Sequence, residues 1–554
     1  MKKLSVVSGL FLVLTAVLVL GACGQTAGDG DAAPPAQQQQ PTAEAAPADI
    51  TDDDDSDSGD LGLLRNPAWS ETLRVQFATP QVRDGVDYNA CRMTQYFAER
   101  FNIEWEMISL TWDNWAEMLR IWINAGDMPD MATWDYVHGE AVLFARDGLV
   151  RRMPDDWQQR WPHTAAAVQA SVIGPAVAEI VGGYYFLHRP IFAANRPTYP
   201  LVGHSVMYMR RDWMEAVGAE IKPVYTMSEA IEIARAIQAQ DPGGLGSALV
   251  PMSFNRSSAV TNFVNRQFAW FDRFYLGEDG YYHWGPANPA ILEGLRLYQE
   301  AFRDGLMHPD FFLWNSDEDI QHFRSLGVAG MMSQEGMAVF IQNISNDLMD
   351  QGIDPEEALH VAVVLGEDGH YHEREVINFW GSVIYSPNLP DADFERLMYL
   401  MDYTAEDETQ LFIRMGFEGE HWERDGHGGF ISLLPQGTDM MEIFPGTHPL
   451  WINHLILSDD FAIINPIFAP RFREMTNEMY ATKERMSTPQ TVQRTNWTEF
   501  FHDSTSRRMA SLPISDMFTE LIMMDGDIET NWLNWVDAQR PLIDPVLDEL
   551  NALR

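Results

Sequence analysis

Carboxylates and tryptophans are the side chains in this sequence with the most chemistry to offer. The chain carries 81 Asp and Glu against 37 Lys and Arg, together with 18 Trp. Two carboxylates on facing walls of a cleft can hydrolyse a glycosidic bond, one as the acid and one as base or nucleophile. With so many acids, no pair stands out by spacing. Indole faces stack on sugar rings and exclude water, while carboxylates and amides satisfy hydroxyls that are costly to desolvate. The HExxH, GxSxG and Walker A patterns are absent from the sequence. His370 and His372 form an H-x-H beside Glu373. No other ligands stand at zinc spacing, so neither a metal nor a cofactor is expected. An anionic ligand would call for clustered arginines. Arg210 and Arg211 are adjacent, but neighbours on a strand face opposite ways. The composition therefore favours a neutral, hydroxyl-rich ligand.

Such side chains need elements to hold them. Leu73–Ala78 (LRVQFA) alternates and predicts a first strand. Residues 88–101 read as an amphipathic helix, 103–108 as a strand, and Met131–Trp134 as a short strand after a helix carrying Trp115, Leu119 and Trp122. Alternating strands and helices imply an α/β layer structure with a mainly parallel sheet. Ligands in such sheets sit beyond the carboxyl ends of strands. Trp134, Asp135 and Tyr136 occupy one such end, and Gln334 and Glu335 another, after the strand GVAGMM. Trp270 and Phe271 lie in an aromatic-rich stretch, 265–275. The plainer reading of Trp134 is a core ring under the strand, and of Asp135 a helix N-cap.

Composition sets outer bounds. A chain of 554 residues exceeds one compact core and implies two domains or one large bilobal unit. A net charge of −44 repels phosphate backbones and argues against nucleic acid. Lys2 and Lys3 precede an apolar stretch, Leu10–Leu20, too short for a comfortable membrane span. It ends in Leu20-Gly21-Ala22-Cys23, which resembles a bacterial lipobox. Residues 1–22 then form a lipoprotein signal peptide, Cys23 is acylated, and the body is held on the outer face of the cytoplasmic membrane. Residues 23–69, with a Gln run, Pro and Ala, and Asp52–Asp55, read as a disordered acidic tether. No later stretch is long and apolar enough to span a bilayer. With Cys23 lipidated, Cys91 has no partner; it reads as an inert buried thiol in a helix.

Across residues 70–554 the sequence resembles the bacterial extracellular solute-binding proteins of carbohydrate ABC importers, family 1, especially their long lipoprotein members. The family includes maltose-binding protein. The resemblance rests on an ordered series of segments: Asn124-Ala-Gly-Asp-Met-Pro-Asp130, Asp147-Gly-Leu-Val, Gly182-Gly-Tyr-Tyr-Phe-Leu, Met209-Arg-Arg-Asp-Trp-Met-Glu, Phe323–Met332, Gly416-Phe-Glu-Gly-Glu-His-Trp and Gly526–Trp535. It implies a two-lobed periplasmic-binding-protein-like fold of type II, with a hinge and an interlobe cleft that closes on ligand. The lobes would be 70–187 with 376–440, and 188–375 with 441–554. The implied partners are a small-molecule carbohydrate, of oligosaccharide size, and importer membrane subunits; the protein would be monomeric and not an enzyme. A secreted glycosidase-like enzyme and a non-transport surface receptor are the competing readings.

The resemblance also places site residues. Trp134 stands where the family has a sugar-stacking tryptophan. Tyr185 lies at the first crossover, where a hinge role competes. Trp380 lies where the chain recrosses between lobes. His421 and Trp422 lie in the GFEGEHW segment, whose glycines could instead shape a turn. Some long members carry a calcium loop of the form DPDGNG. Here the stretch is Asp241-Pro-Gly-Gly-Leu-Gly246, with one carboxylate left, so no calcium is expected there.

Overall fold

A computed structural model describes residues 69–83, 85–111, 114–134, 139–171, 173–190, 203–314, 318–375, 379–447, 449 and 465–554. The signal segment, Cys23 and the tether up to residue 68 lie outside the described residues, as do Asp135 and Tyr136; Trp69, expected in the tether, is instead buried in the folded body.

The described strands are, in chain order, β1 (Leu73–Thr79), β2 (Ile103–Ser109), β3 (Met131–Trp134), β4 (Leu187–Pro190), β5 (Ser205–Arg210), β6 (Val224–Thr226), β7 (Val250–Ser253), β8 (Phe274–Leu276), β9 (Tyr282–Trp284), β10 (Ala329–Glu335), β11 (Leu359–Leu365), β12 (Glu373–Arg374), β13 (Phe379–Tyr385), β14 (Trp422–Arg424), β15 (Phe430–Ser432) and β16 (Val492–Gln493). They build two five-stranded sheets, in the orders β2-β1-β3-β13-β4 and β6-β11-β5-β10-β7. Three two-stranded pieces remain: β8 with β9, β12 with β16, and β14 with β15.

Local sequence explains these elements. In β1, Val75 and Phe77 are buried while Arg74 and Gln76 are exposed, which is the alternation of a half-buried strand. The helix Met227–Gln240 buries Met227, Ala230, Ile231, Ala234 and Ile237, one stripe at helical spacing. It starts with a capping box in which Thr226 and Glu229 satisfy each other's backbone N–H. Cys91 precedes the helix Arg92–Phe101 and is half-buried with a free thiol, so it is less enclosed than the sequence reading had it.

The sheets are mixed, not mainly parallel. β1 pairs parallel with β2 and β3, but β13 runs antiparallel to both β3 and β4. In the second sheet β5 runs antiparallel to β10 and β11, while β7 and β6 pair parallel with them. The reversed strands have a common cause. β13 and β5 each follow a passage from the other sheet and enter between two strands of the new one, running antiparallel to both. The local helix–strand alternation carried no trace of that.

Each sheet has its own cores. Trp69, Phe97, Phe101, Tyr385 and Met398 belong to one cluster on the first sheet, and Trp115, Trp134, Phe144 and Phe186 to another. Met207, Tyr225, Ile291, Tyr298 and Trp532 cluster on one side of the second sheet, and Tyr208, Ile341 and Tyr480 on the other. Phe444 and Ile467 pack with the first sheet, beyond residue 440, and Phe468 touches clusters of both sheets. The helix Pro470–Met486 then packs on the second sheet. Among the described residues no single helix is long and apolar enough to cross a membrane.

Candidate ligand site

The sequence-predicted residues separate sharply. Trp134 is fully buried, its ring 5.1 Å from that of Phe186 and 5.7 Å from that of Phe144. With no open face in this conformation, it packs as a core ring. Tyr185 is half-buried against the same cluster. Phe271 is part of the second-sheet core, as its apolar neighbours Phe274 and Trp284 dictate. Gln334 and Glu335 are half-buried at the end of β10, where the Glu335 carbonyl accepts from the Tyr208 hydroxyl at 2.6 Å. Trp380 lies on β13 where the register slips between Phe379 and Ser382. His421 and Trp422 serve a hairpin: the Trp422 indole N–H donates to the Gly416 carbonyl at 2.9 Å, and the His421 ring accepts from the Phe417 N–H. Gly416 sits at φ +83°, and a Cβ there would come 3.0 Å from the His421 ring, so this segment's glycine serves a turn.

Trp270 is the exception. It lines a cavity of about 230 Å³ with Arg273, Glu373, Arg374, Glu375, Thr495, Glu499 and Phe500. Three separate stretches of chain meet there. The first leaves the helix Arg256–Val260 through one π turn, Thr261–Asn265, a backbone irregularity common at functional sites. It is pinned to the β8–β9 hairpin, where the Gly285 N–H donates to the Arg273 carbonyl at 2.7 Å. A Cβ on Gly285 would lie 1.6 Å from the Trp270 carbonyl oxygen, so only glycine permits this approach. The second stretch is β12, tied to β16 through Glu373 opposite Val492. The third is the short helix Trp497–Phe501, whose N-cap Asn496 accepts from the Glu499 N–H and from the Tyr282 hydroxyl. Its Trp497, Phe500 and Phe501 rings pack on the first-sheet cluster that holds Trp134. The cavity wall therefore joins Trp270, beside the second-sheet core, to Phe500, on the first.

Behind the cavity lies a buried ion network. Arg266, 1 % exposed, donates to the Glu373 carboxylate and to the His372 carbonyl, each at 3.0 Å. Its guanidinium lies 4.7 Å from the Tyr371 ring centre, and the Lys483 ammonium 5.0 Å from it on the same ring. Burial penalises the charge on Glu373, but Arg266, Arg374 and Lys483 outweigh that and hold its carboxyl below the ordinary value. Burial also pushes the Lys483 ammonium well below its usual range, and it is steadied by the carbonyls of Gly203 and Ser205.

The carboxylates at the cavity each have a partner. Glu373 takes Arg266, Glu499 takes Arg507, and Glu375 accepts from the Thr495 N–H at 2.7 Å. Donors are less well supplied. The Trp270 indole N–H is buried without a hydrogen-bond partner, and Trp270 itself is 5 % exposed. Such a group is costly to leave unpaired. Carboxylates that accept, arginines and an indole that donate, and two aromatic rings together suit a hydroxyl-bearing ring.

Of these residues, sequence reasoning found Trp270 and saw Glu373 only as the neighbour of an H-x-H. It missed Arg273, Arg374, Glu375, Thr495, Glu499 and Phe500. Asp368 takes up both histidines of that H-x-H, at 2.9 Å from His372 and 3.5 Å from His370. Among the described residues no three His, Cys, Asp or Glu side chains gather so as to hold a metal ion. At Asp241 the carboxylate accepts from the N–H groups of Leu245 at 2.9 Å and Gly246 at 2.7 Å, which closes that turn.

Known proteins share this architecture. The substrate-binding protein FusA of Streptococcus pneumoniae, solved with kestose, superposes with a TM-score of 0.64 at 15 % identity, over 87 % of this chain and 98 % of that one. Alginate-binding protein AlgQ2, solved without calcium, gives 0.62 at 15 % over 88 % and 98 %. The N-glycan transport protein NgtS of Streptococcus pneumoniae, with Man1GlcNAc, gives 0.54 at 12 % over 87 % and 98 %. At such identities the likeness establishes the fold, a two-lobed solute-binding fold of type II. No curated protein matches in sequence. Residues 92–395, more than half of the chain, match the bacterial extracellular solute-binding proteins, and the chain belongs to that family.

Proposed function

We propose that this protein is the substrate-binding lipoprotein of an ABC importer and captures an extracellular carbohydrate, an oligosaccharide presenting one ring to the cavity. Two lobes, close to 70–187 with 376–440 and 188–375 with 441–554, shut on the ligand by hinge motion. Acylated Cys23 and the acidic tether hold the body at the outer face of the cytoplasmic membrane. The protein acts as a monomer, hands its ligand to the importer's membrane subunits, and performs no chemistry on it.

One observation carries the reading: Trp270 lines a cavity walled by arginines and carboxylates, where three distant stretches of chain meet and Phe500 packs on the first-sheet core. The carbohydrate ligands named for structural relatives support it. A thermal-shift screen of the purified full chain against sugars and short peptides tests it, since a ligand bound only by the folded state raises Tm by mass action. Oligosaccharides should raise Tm and peptides should not. A shift with peptides alone, or release of products from a glycan, would end the importer reading. For the anchor, Cys23→Ala should move the protein from the membrane to the soluble fraction.

A further inference from the structure

Two arginines from distant positions, 273 and 374, line this cavity, and a third, Arg507, pairs with the lining Glu499. Arg374 and Arg273 share one carboxylate: Asp272 Oδ1 lies 3.3 Å from Arg374 Nη1 and 3.8 Å from Arg273 Nε. That second separation is an ion pair without a hydrogen bond. Among the described residues Arg273 makes no closer ion pair, while its side chain is two-thirds buried. The charges acting on it are two cations, Arg374 and Arg507, and two anions, Asp272 and Glu499. Among the described residues no hydrogen bond ties its guanidinium to either anion, so its donors are left over. Desolvation and the two cations hold its pKa below the ordinary guanidinium value, so the charged form is under strain where it stands. Next to it, the Trp270 indole N–H is also unspent. Among the described residues the other carboxylates on the wall make no hydrogen bond to Arg273: Glu373 accepts from Arg266, Glu375 from the Thr495 N–H and Glu499 from Arg507.

We infer that the ligand is an acidic saccharide of the uronic acid class, its carboxylate seated on the Arg273 fork beside Trp270. The inference rests on the carbohydrate reading above and sharpens it. A planar carboxylate matches a guanidinium in two parallel hydrogen bonds, whereas a hydroxyl takes one and brings no charge. Hydroxyls of the same ring remain to donate to Glu375.

Calorimetry on the full chain tests this with a panel of oligo-uronates, their neutral counterparts and a sulfated oligosaccharide. At least one uronate should bind ten-fold or more tightly than its neutral partner, with an affinity that falls as salt rises. Arg273→Gln should bring that uronate down to the neutral level, and Arg273→Lys should restore part of the preference, since it keeps the charge and loses the fork. Unchanged melting temperatures for both variants would show that folding is not the cause. Equal or tighter binding of neutral sugars would overturn the inference while leaving the carbohydrate reading intact, and so would a preference that survives Arg273→Gln. Tighter binding of the sulfated sugar would overturn the carboxylate. If no saccharide binds, both fall.

Discussion

Trp134 and Trp270 look alike in the sequence and end in opposite surroundings. Trp134 lies in an apolar ring cluster with Phe144 and Phe186, and the nearby His188 is 1 % exposed. Trp270 is nearly as buried, at 5 %, but its neighbours are Arg273, Arg374 and Glu373. Burial alone does not separate a core ring from a ligand platform. The difference lies in what covers the ring. Carbon atoms of its own half seal Trp134, while Trp270 is covered by charged groups that close an empty space.

The comparison breaks first on stability. Trp134→Ala should cost about 3–5 kcal/mol in urea unfolding, because the rings around it collapse only partly into the space left. Trp270→Ala should cost clearly less, since its ring already borders a cavity. Equal losses would mean that Trp270 is a core ring too. Binding should then show the reverse order. Trp270→Ala should weaken whichever sugar raises Tm by about 30-fold, or ~2 kcal/mol, the scale of a buried aromatic anchor. A variant at Trp134 that still folds, such as Trp134→Phe, should bind as the parent does. If calorimetry finds the loss at Trp134 and not at Trp270, the two assignments are exchanged.

The same pair shows what could be read from sequence and what could not. The strands 73–79, 103–109 and 131–134 and the helix 227–240 follow from period-2 and period-3.6 patterns over enough residues to register. The two-lobed fold was legible because family segments recur in order along the chain. The cavity was not. Its walls come from a two-residue strand at 373–374 and a five-residue helix at 497–501, too short to leave any periodic signature. Glu373 meets Arg266 across more than a hundred residues, and single arginines at 273, 374 and 507 form no local cluster. Aromatic density at 265–275 was the one legible signal, and within it position 270 faces the cavity while Phe271 turns into the core. The mixed strand directions were hidden for a related reason. They are set by where the chain re-enters each sheet, at β5 and β13, and not by any local preference.

Titration sharpens the contrast most finely. On the Trp270 side the buried Arg266 is paired with Glu373, whereas on the Trp134 side the buried His188 is held neutral among rings. The Phe379 ring stands edge-on to it at 5.3 Å, and the Phe186 backbone, which favours its protonated form, is outweighed by burial. Burial lowers its pKa from 6.5 to about 3. The sign follows from proton binding. Between those values the unfolded chain takes up a proton that the folded chain refuses, so the contribution of His188 is complete at neutral pH and is lost as pH falls below 6.5. The loss is at most about 1.4 kcal/mol per pH unit. Carboxylates such as Glu373 titrate in the same range, so the total slope cannot be assigned to one residue; the difference between two proteins can. His188→Phe keeps an aromatic ring among aromatic rings and removes the proton site. Measured by urea unfolding from pH 8 to pH 4, its stability should decline with acid less steeply than the parent's, by up to one proton's worth, while the two curves run parallel above pH 7. Curves that stay parallel throughout would mean that water or a partner reaches the His188 ring, and that the apolar side of the comparison is not sealed.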